Sequence, residues 1–286
     1  EEMMSRWTSI IVESDGGIAR VILNRPERRN AFDQRMVGEL HESFLQLADD
    51  QSVRAVILTG AGPVFCAGAD LRWLSQESQL SEDRARADAR LLADMYRTID
   101  ECPHPVLGRV QGNAFGGGVG LLAVCDVVVA AEAASFTLSE AQLGLIPAVI
   151  APFLLRKAGD SFMRRFCLTA EPFSAAVAKQ FHLVHDVVGS DSLDSRIGEL
   201  VEAVLRLAPE ASRQTKALLR RLQAVPAFEQ EALSIEANVQ ARLSPEGQEG
   251  IRAFMEKRPP AWRQARAGQE PDSAKVTAHD GAGQRT

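Results

Sequence analysis

With 286 residues, 45% of them hydrophobic and 24% charged, the chain has the composition of a globular protein able to bury a full core. A net charge of −6 without a basic patch argues against nucleic-acid binding, and no apolar run approaches the roughly 20 residues of a membrane span. Residues 1 to 14 lack a signal-peptide pattern, so a cytoplasmic location is expected; Cys66, Cys102, Cys125 and Cys167 form no C-x-x-C pair, so neither a metal site nor a disulfide framework is.

Thr8 to Val12 and Ile18 to Leu23, separated by Asp15-Gly16-Gly17, predict a β-hairpin. The polar stretch Asn24 to Phe32, with Pro26, Arg25, Arg28 and Arg29, reads either as a solvated surface loop or as a phosphate-facing lip. Asp33 can cap a helix on which Met36, Val37, Leu40, Phe44, Leu47 and Ala48 recur at helical spacing. Val53 to Leu58 is nearly all apolar, the mark of a strand covered on both faces. Strand, helix and strand in succession imply a parallel crossover.

That strand runs into Thr59 to Leu71, whose small, glycine-containing part Cys66 to Asp70 should expose backbone N–H groups. Ligands of α/β sheets gather at such carboxyl ends of strands. Asp70 then starts a short helix. After a segment expected to be mobile, Ser81 to Glu101 reads as a helix with Leu91, Leu92, Met95, Tyr96 and Ile99 on one face, stopped by Cys102-Pro103-His104-Pro105.

The organising stretch follows the strand Val106 to Val110. Gly112-Asn113-Ala114-Phe115-Gly116-Gly117-Gly118-Val119-Gly120 turns the backbone into a helix of small residues. N–H groups at a helix start lack partners, and the helix dipole adds positive potential there. Three readings compete. Gly118, Gly120 and Ala123 spell a dinucleotide fingerprint with Glu140 about 20 residues on; the Gly117 N–H could instead stabilise an oxyanion, given a second donor from Cys66 to Asp70; or the glycines merely pack a helix on a sheet.

Asp126 to Ala130 is a further buried strand, and Phe136 to Glu140 a short extended piece ending in a carboxylate. Glu140 is either an ordinary surface or capping residue or a general acid/base whose pKa its apolar neighbours raise. Helices are predicted at 148–158, 161–169, 174–181, 193–207, 209–223, 227–242 and 245–256, with a strand at 183–188. One sheet cannot be covered by so many helices, so some should pack on neighbouring subunits. Arg213, Lys216, Arg220 and Arg221 read as a solvated basic face, and the polar tail 263–286 as disordered.

Taken together, Asn24-Arg25-Pro26 with Asn30-Ala31-Phe32, Phe65 to Leu71, Gly112 to Gly118, Cys125-Asp126, Leu145-Ile146-Pro147 and Phe254 to Arg258 resemble the crotonase (enoyl-CoA hydratase/isomerase) superfamily over about residues 6 to 262. The resemblance sets the dinucleotide reading aside. It implies an α/β spiral of ββα units over residues 6–190 and a helical trimerisation region over 191–262, assembled as a homotrimer or a hexamer of paired trimers. It implies an acyl-CoA substrate, no cofactor beyond the coenzyme A that the substrate carries, and catalysis by Glu140 with the N–H groups of Ala69 and Gly117. Arg28, Ala31, Ala67, Asp70, Leu71 and Arg72 are then expected along the CoA moiety, with Phe254 and Lys257 reaching a neighbour's.

One position departs from the two-glutamate pattern of typical hydratases: where the first glutamate is expected stands Gly120. Losing a general acid/base without replacement costs on the order of 10²- to 10⁴-fold. Gly-Gly-Gly-Val-Gly, Leu138 to Ala148 and Pro152 to Arg156 are most similar to bacterial methylglutaconyl-CoA hydratases of leucine and isovalerate metabolism, with Gly120 expected to leave room for a branched, acid-bearing acyl group. Arg84, Arg86 and Arg90 are candidates to meet its distal carboxylate. The same pattern leaves open an isohexenylglutaconyl-type or general hydratase, a decarboxylase, or a non-catalytic acyl-CoA binder.

Overall fold

The computed structural model describes residues 6–77 and 81–263. Strands β1 (Ile10–Asp15) and β2 (Ile18–Leu23) form the predicted hairpin, with Ile10 opposite Leu23. Asp33 accepts the Met36 N–H at 2.8 Å and starts α1 (Gln34–Asp49), which buries Met36, Val37, Leu40, Phe44 and Leu47. The chain returns as β3 (Ala55–Gly60), buried at all six positions and parallel to β2, as the apolar run requires. Strands β4 (Val106–Val110), β6 (Val127–Ala131) and β9 (Asp186–Val188) extend the sheet in parallel, in the order β1-β2-β3-β4-β6-β9.

A second, shorter ladder runs through the extended pieces that follow these strands. Phe32 bridges Ala69, Cys66 bridges Ala114, and β5 (Ala114–Phe115) pairs in parallel with β7 (Ser135–Thr137). Each turn of chain thus supplies a long strand, a short one and a helix, the ββα spiral that the resemblance implied. Strand β8 (Phe173–Ser174), antiparallel to β7, is two residues long and carries no readable periodicity.

The helices that follow the short pieces are α2 (Leu71–Glu77), α3 (Glu82–Glu101), which packs on α1, and α4 (Gly117–Val124). Helix α4 buries every residue from Gly118 to Val124, so it is a core helix with no solvent face. The segment expected to be mobile, 78–80, lies outside the described residues, as does the tail from 264. The two helices predicted at 148–158 and 161–169 make up α5 (Ala151–Thr169), which Gly159, non-helical at φ 85° and ψ 168°, divides in two across a kink.

Helices α6 (Ala175–Gln180) and α7 (Leu193–Leu205) precede α8 (Pro209–Ala224), and one compact unit extends to Gln230. The reason lies in α7, whose Leu193, Ile197, Val201 and Leu205 pack on Ala55, Ile57, Leu107 and Val129 and so cover the second face of the sheet. The basic face of α8 is not solvated either: Lys216 Nζ lies 2.6 Å from Asp126, Arg220 Nη2 lies 2.6 Å from Glu101, and Arg213 bonds Gln51. Arg221 alone of the four is fully on the surface.

A second unit begins at Glu231, within α9 (Ala227–Leu243), and includes α10 (Pro245–Met255). The Glu249 carboxylate accepts from Arg258 at 2.6 and 3.0 Å and from the Ala261 N–H at 3.1 Å, which ties residues 258–261 to α10.

Candidate active site

Glycines allow the two loops to meet. A Cβ on Gly68 would lie 2.6 Å from the Phe115 carbonyl oxygen and 3.3 Å from Gly117 N, and one on Gly118 would lie 2.4 Å from the Cys66 carbonyl oxygen. Any larger residue would force the loops apart. Phe32 N–H donates to Gly68 at 2.7 Å and Asp70 N–H to Phe32 at 2.7 Å, so ladder alternation turns the intervening Ala69 N–H away from that strand. The Gly117 N–H opens the first turn of α4. Among the described residues neither of these two N–H groups has an acceptor.

Glu140 stands beside them, three residues past β7, where it opens a 3₁₀ turn (Glu140–Leu143). Its Oε1 is 3.0 Å from the place of a Cβ on Gly116, and its buried Oε2 has no hydrogen-bond partner. Burial pushes its carboxyl above the ordinary glutamate value, because the charged form loses water without gaining a counter-charge. A cleft of about 460 Å³ opens here, walled by Phe32, Leu92, Tyr96, Leu145, Val149 and Ile150. Glu140 is the one carboxylate and Arg29 the one cation among the described residues that line it.

The structure brings Ala67, Ala69, Leu71, Gly117 and Glu140 together in this cleft. Other expected residues lie elsewhere. Asp70 caps α2, accepting the Arg72 N–H at 3.0 Å, and receives Arg25 Nη2 at 3.3 Å, so its carboxylate is engaged within the protein. Ala31 is buried and its carbonyl accepts from Arg25 Nη1 at 2.6 Å. Arg28 and Arg72 are exposed and outside the lining, which holds Arg29. Arg84, which pairs with Asp88, Arg86, which pairs with Glu82, and Arg90 do not line the cleft. Phe254 and Lys257 are exposed on the second unit.

Gly120 requires a correction. It is buried, and a Cβ there would lie 2.4 Å from Ile150 Cγ2 and 3.1 Å from Tyr96 Cε1. The volume expected to admit a branched acyl group is filled by these two side chains. Neither Tyr96, read only as part of an apolar face, nor Ile150 was legible as a site residue; a lone hydroxyl on that face was the available signal. The Asn30 side-chain N–H groups reach the carbonyls of Ala61 and Val64, both at 2.8 Å, and tie the arginine-rich loop Asn24 to Phe32 to the segment after β3.

Two unpaired N–H groups converging beside one desolvated carboxylate suit a reaction in which a carbonyl oxygen gains charge while a proton moves. The family model described as enoyl-CoA hydratase/isomerase matches residues 13–266. The chain belongs to this family. It is 36% identical to the enoyl-CoA hydratase AKT6-1 of Alternaria alternata over 221 residues, which span 77% of this chain and 72% of that one. Among solved structures, an enoyl-CoA hydratase from Shewanella pealeana superposes with a TM-score of 0.86 at 36% identity, covering 90% of this chain and 97% of its own. Pseudomonas aeruginosa AtuE does so with a TM-score of 0.86 at 36% identity, covering 89% and 99%. The activity is thus of the enoyl-CoA hydratase/isomerase type, in a family whose members take acyl-CoA substrates and are typically oligomeric. No helix among the described residues is long and apolar enough to cross a membrane.

Proposed function

We propose that the chain adds water reversibly to a conjugated enoyl-CoA thioester, with Glu140 as its one proton-transferring carboxylate. The observation that carries this reading is the buried, unpartnered Glu140 Oε2 beside the free N–H groups of Ala69 and Gly117. Those two donors receive the thioester oxygen, and each is worth roughly 3 to 4 kcal/mol toward the enolate. Ionised Glu140 takes a proton from water as the hydroxide oxygen bonds to the β-carbon and the alkene electrons move onto the thioester oxygen. The protonated glutamic acid then returns that proton to the α-carbon as the enolate collapses. One carboxylate therefore completes syn addition, and the reverse sequence is dehydration. A raised pKa brings Glu140 nearer the operating pH, which favours both halves of the exchange.

For the acyl group we propose 3-methylglutaconyl-CoA, giving 3-hydroxy-3-methylglutaryl-CoA. The motif resemblance supports it, and Arg29 is the lining cation available to a distal carboxylate. The apolar walls formed by Leu92, Leu145 and Val149 favour a second reading, a general hydratase for uncharged acyl chains. Trimer or hexamer formation through the C-terminal helices, with Phe254 and Lys257 reaching a neighbouring site, belongs to the same proposal. The test follows the ultraviolet absorbance of the conjugated thioester for 3-methylglutaconyl-CoA and crotonyl-CoA with wild type and Glu140→Gln. Rapid loss of the first signal, slow loss of the second and silence in the variant are expected. Preference for crotonyl-CoA selects the general hydratase. Release of CO₂, or binding without turnover, refutes hydration.

A further inference from the structure

We propose that Tyr96 is a positioning residue of the oxyanion hole: its hydroxyl holds the Gly117 carbonyl, in the peptide that follows the donor, and so fixes the residue whose N–H is aimed at the thioester oxygen. This rests on the proposed use of that N–H. Tyr96 is 1% exposed, near the end of α3, and its hydroxyl donates to the Gly117 carbonyl at 2.7 Å. That carbonyl belongs to a turn built from Gly116, Gly117, Gly118 and Gly120, a backbone with almost no side chains to hold it and with the conformational freedom of glycine. The preceding peptide is held by backbone bonds, Gly116 N–H to the Thr137 carbonyl at 2.8 Å and Val119 N–H to the Gly116 carbonyl at 2.9 Å, and Tyr96 supplies the side-chain anchor on the carbonyl side of Gly117. The Tyr96 oxygen lies 2.8 Å from the place of a Cβ on Gly117, so it also stops that Cα from moving toward α3.

The ring is itself fixed. It packs against Phe153 with centroids 6.0 Å apart, and its Cε1 lies 3.1 Å from the place of a Cβ on Gly120, where Ile150 closes the remaining space. Burial, with Glu140 and Cys66 nearby, raises the phenol pKa well above its ordinary value, so the hydroxyl remains a donor. The glycine at 120 thus has a purpose besides the absence of a carboxylate, since it admits the ring that holds the carbonyl side of Gly117. Tyr96 acts through Gly117 and takes no proton in the reaction.

The test is Tyr96→Phe, which keeps the ring and removes the anchor. The expected result is a kcat lowered by about 10-fold with KM changed by less than about twofold, as for a displaced donor that substrate binding does not need. Acetoacetyl-CoA provides a second readout, because its enolate places charge on the oxygen that the hole receives and absorbs in the ultraviolet. Its enolate-form affinity should fall by the same factor while affinity for free CoA is retained. Wild-type kcat and enolate affinity in the variant overturn the proposal; so does a parallel loss of CoA affinity and thermal midpoint, which assigns Tyr96 to packing alone. If wild type itself shows neither turnover nor an enolate signal, the oxyanion-hole reading fails and takes this proposal with it. If wild type shows both and Tyr96→Phe matches it, only the Tyr96 assignment fails.

Discussion

Gly120→Ala tests whether Ile150 and Tyr96 fill the position at which a first glutamate is expected. By helix propensity alone, alanine in a helix interior gains up to about 1 kcal/mol over glycine. The structure reverses that sign. The new methyl would lie 2.4 Å from Ile150 Cγ2, against the roughly 3.5 to 4 Å of an ordinary carbon–carbon contact. Overpacking of this kind costs about 1 to 3 kcal/mol, so a net loss of roughly 1 kcal/mol is expected. Ile150→Ala alone, at a residue 3% exposed, should cost about 2 to 4 kcal/mol. The double variant should lose less than the sum by about 1 to 2 kcal/mol, since each change relieves the other. Urea unfolding at one fixed protein concentration measures all three, because oligomerisation makes stability concentration-dependent. A Gly120→Ala variant more stable than wild type, or a strictly additive pair, would refute the account of why a larger residue is absent.

Ala69→Pro removes one of the two donors and should lower kcat by about 10²- to 10³-fold while CoA binding, read by calorimetry, persists. Because Glu140 must be ionised to take a proton from water, kcat/KM should fall with decreasing pH on a limb lying above the ordinary glutamate value, displaced by burial. The same shift has a stability consequence. A folded-state pKa raised above the unfolded one favours the protonated form, so stability is lost as pH rises through it; Glu140→Gln should therefore raise the thermal midpoint at neutral pH, with the advantage vanishing below the ordinary carboxylate range. Lys216→Met leaves Asp126 with the Val106 N–H at 2.7 Å but without its ammonium partner, and should cost about 1 to 3 kcal/mol in urea unfolding.

Much of the fold was legible because the local signals agree. The hairpin at Gly16-Gly17, the Asp33 cap and the all-apolar β3 each combine a turn or cap residue with an unambiguous period, and each appears within a few residues of its predicted place. Local periodicity gave the same helical pattern to α7 and α9, but not their placement: α7 belongs to the first unit because it finds an uncovered sheet face, whereas the described part of α9 beyond Gln230 belongs to the second. Charge was misread on α8 for a related reason. A basic stripe is solvated only if no acidic surface faces it, and Asp126 and Glu101, 90 and 119 residues away, are supplied by other elements.

At the site, the sequence by itself determined the chemistry on offer: two glycine-bearing loops that can expose N–H groups, and one carboxylate shortly after an extended piece. These are properties of residue types and of backbone geometry, so they survive any packing. Only the tertiary structure decided which groups meet. It turned Asp70 inward to Arg25 and the cap of α2, set Arg29 in the lining of the cleft, and filled the space beside Gly120 with Ile150 and Tyr96. The physical reason is that a glycine permits close approach without specifying what approaches. The partner comes from a distant part of the chain, and its identity is written in packing rather than in spacing.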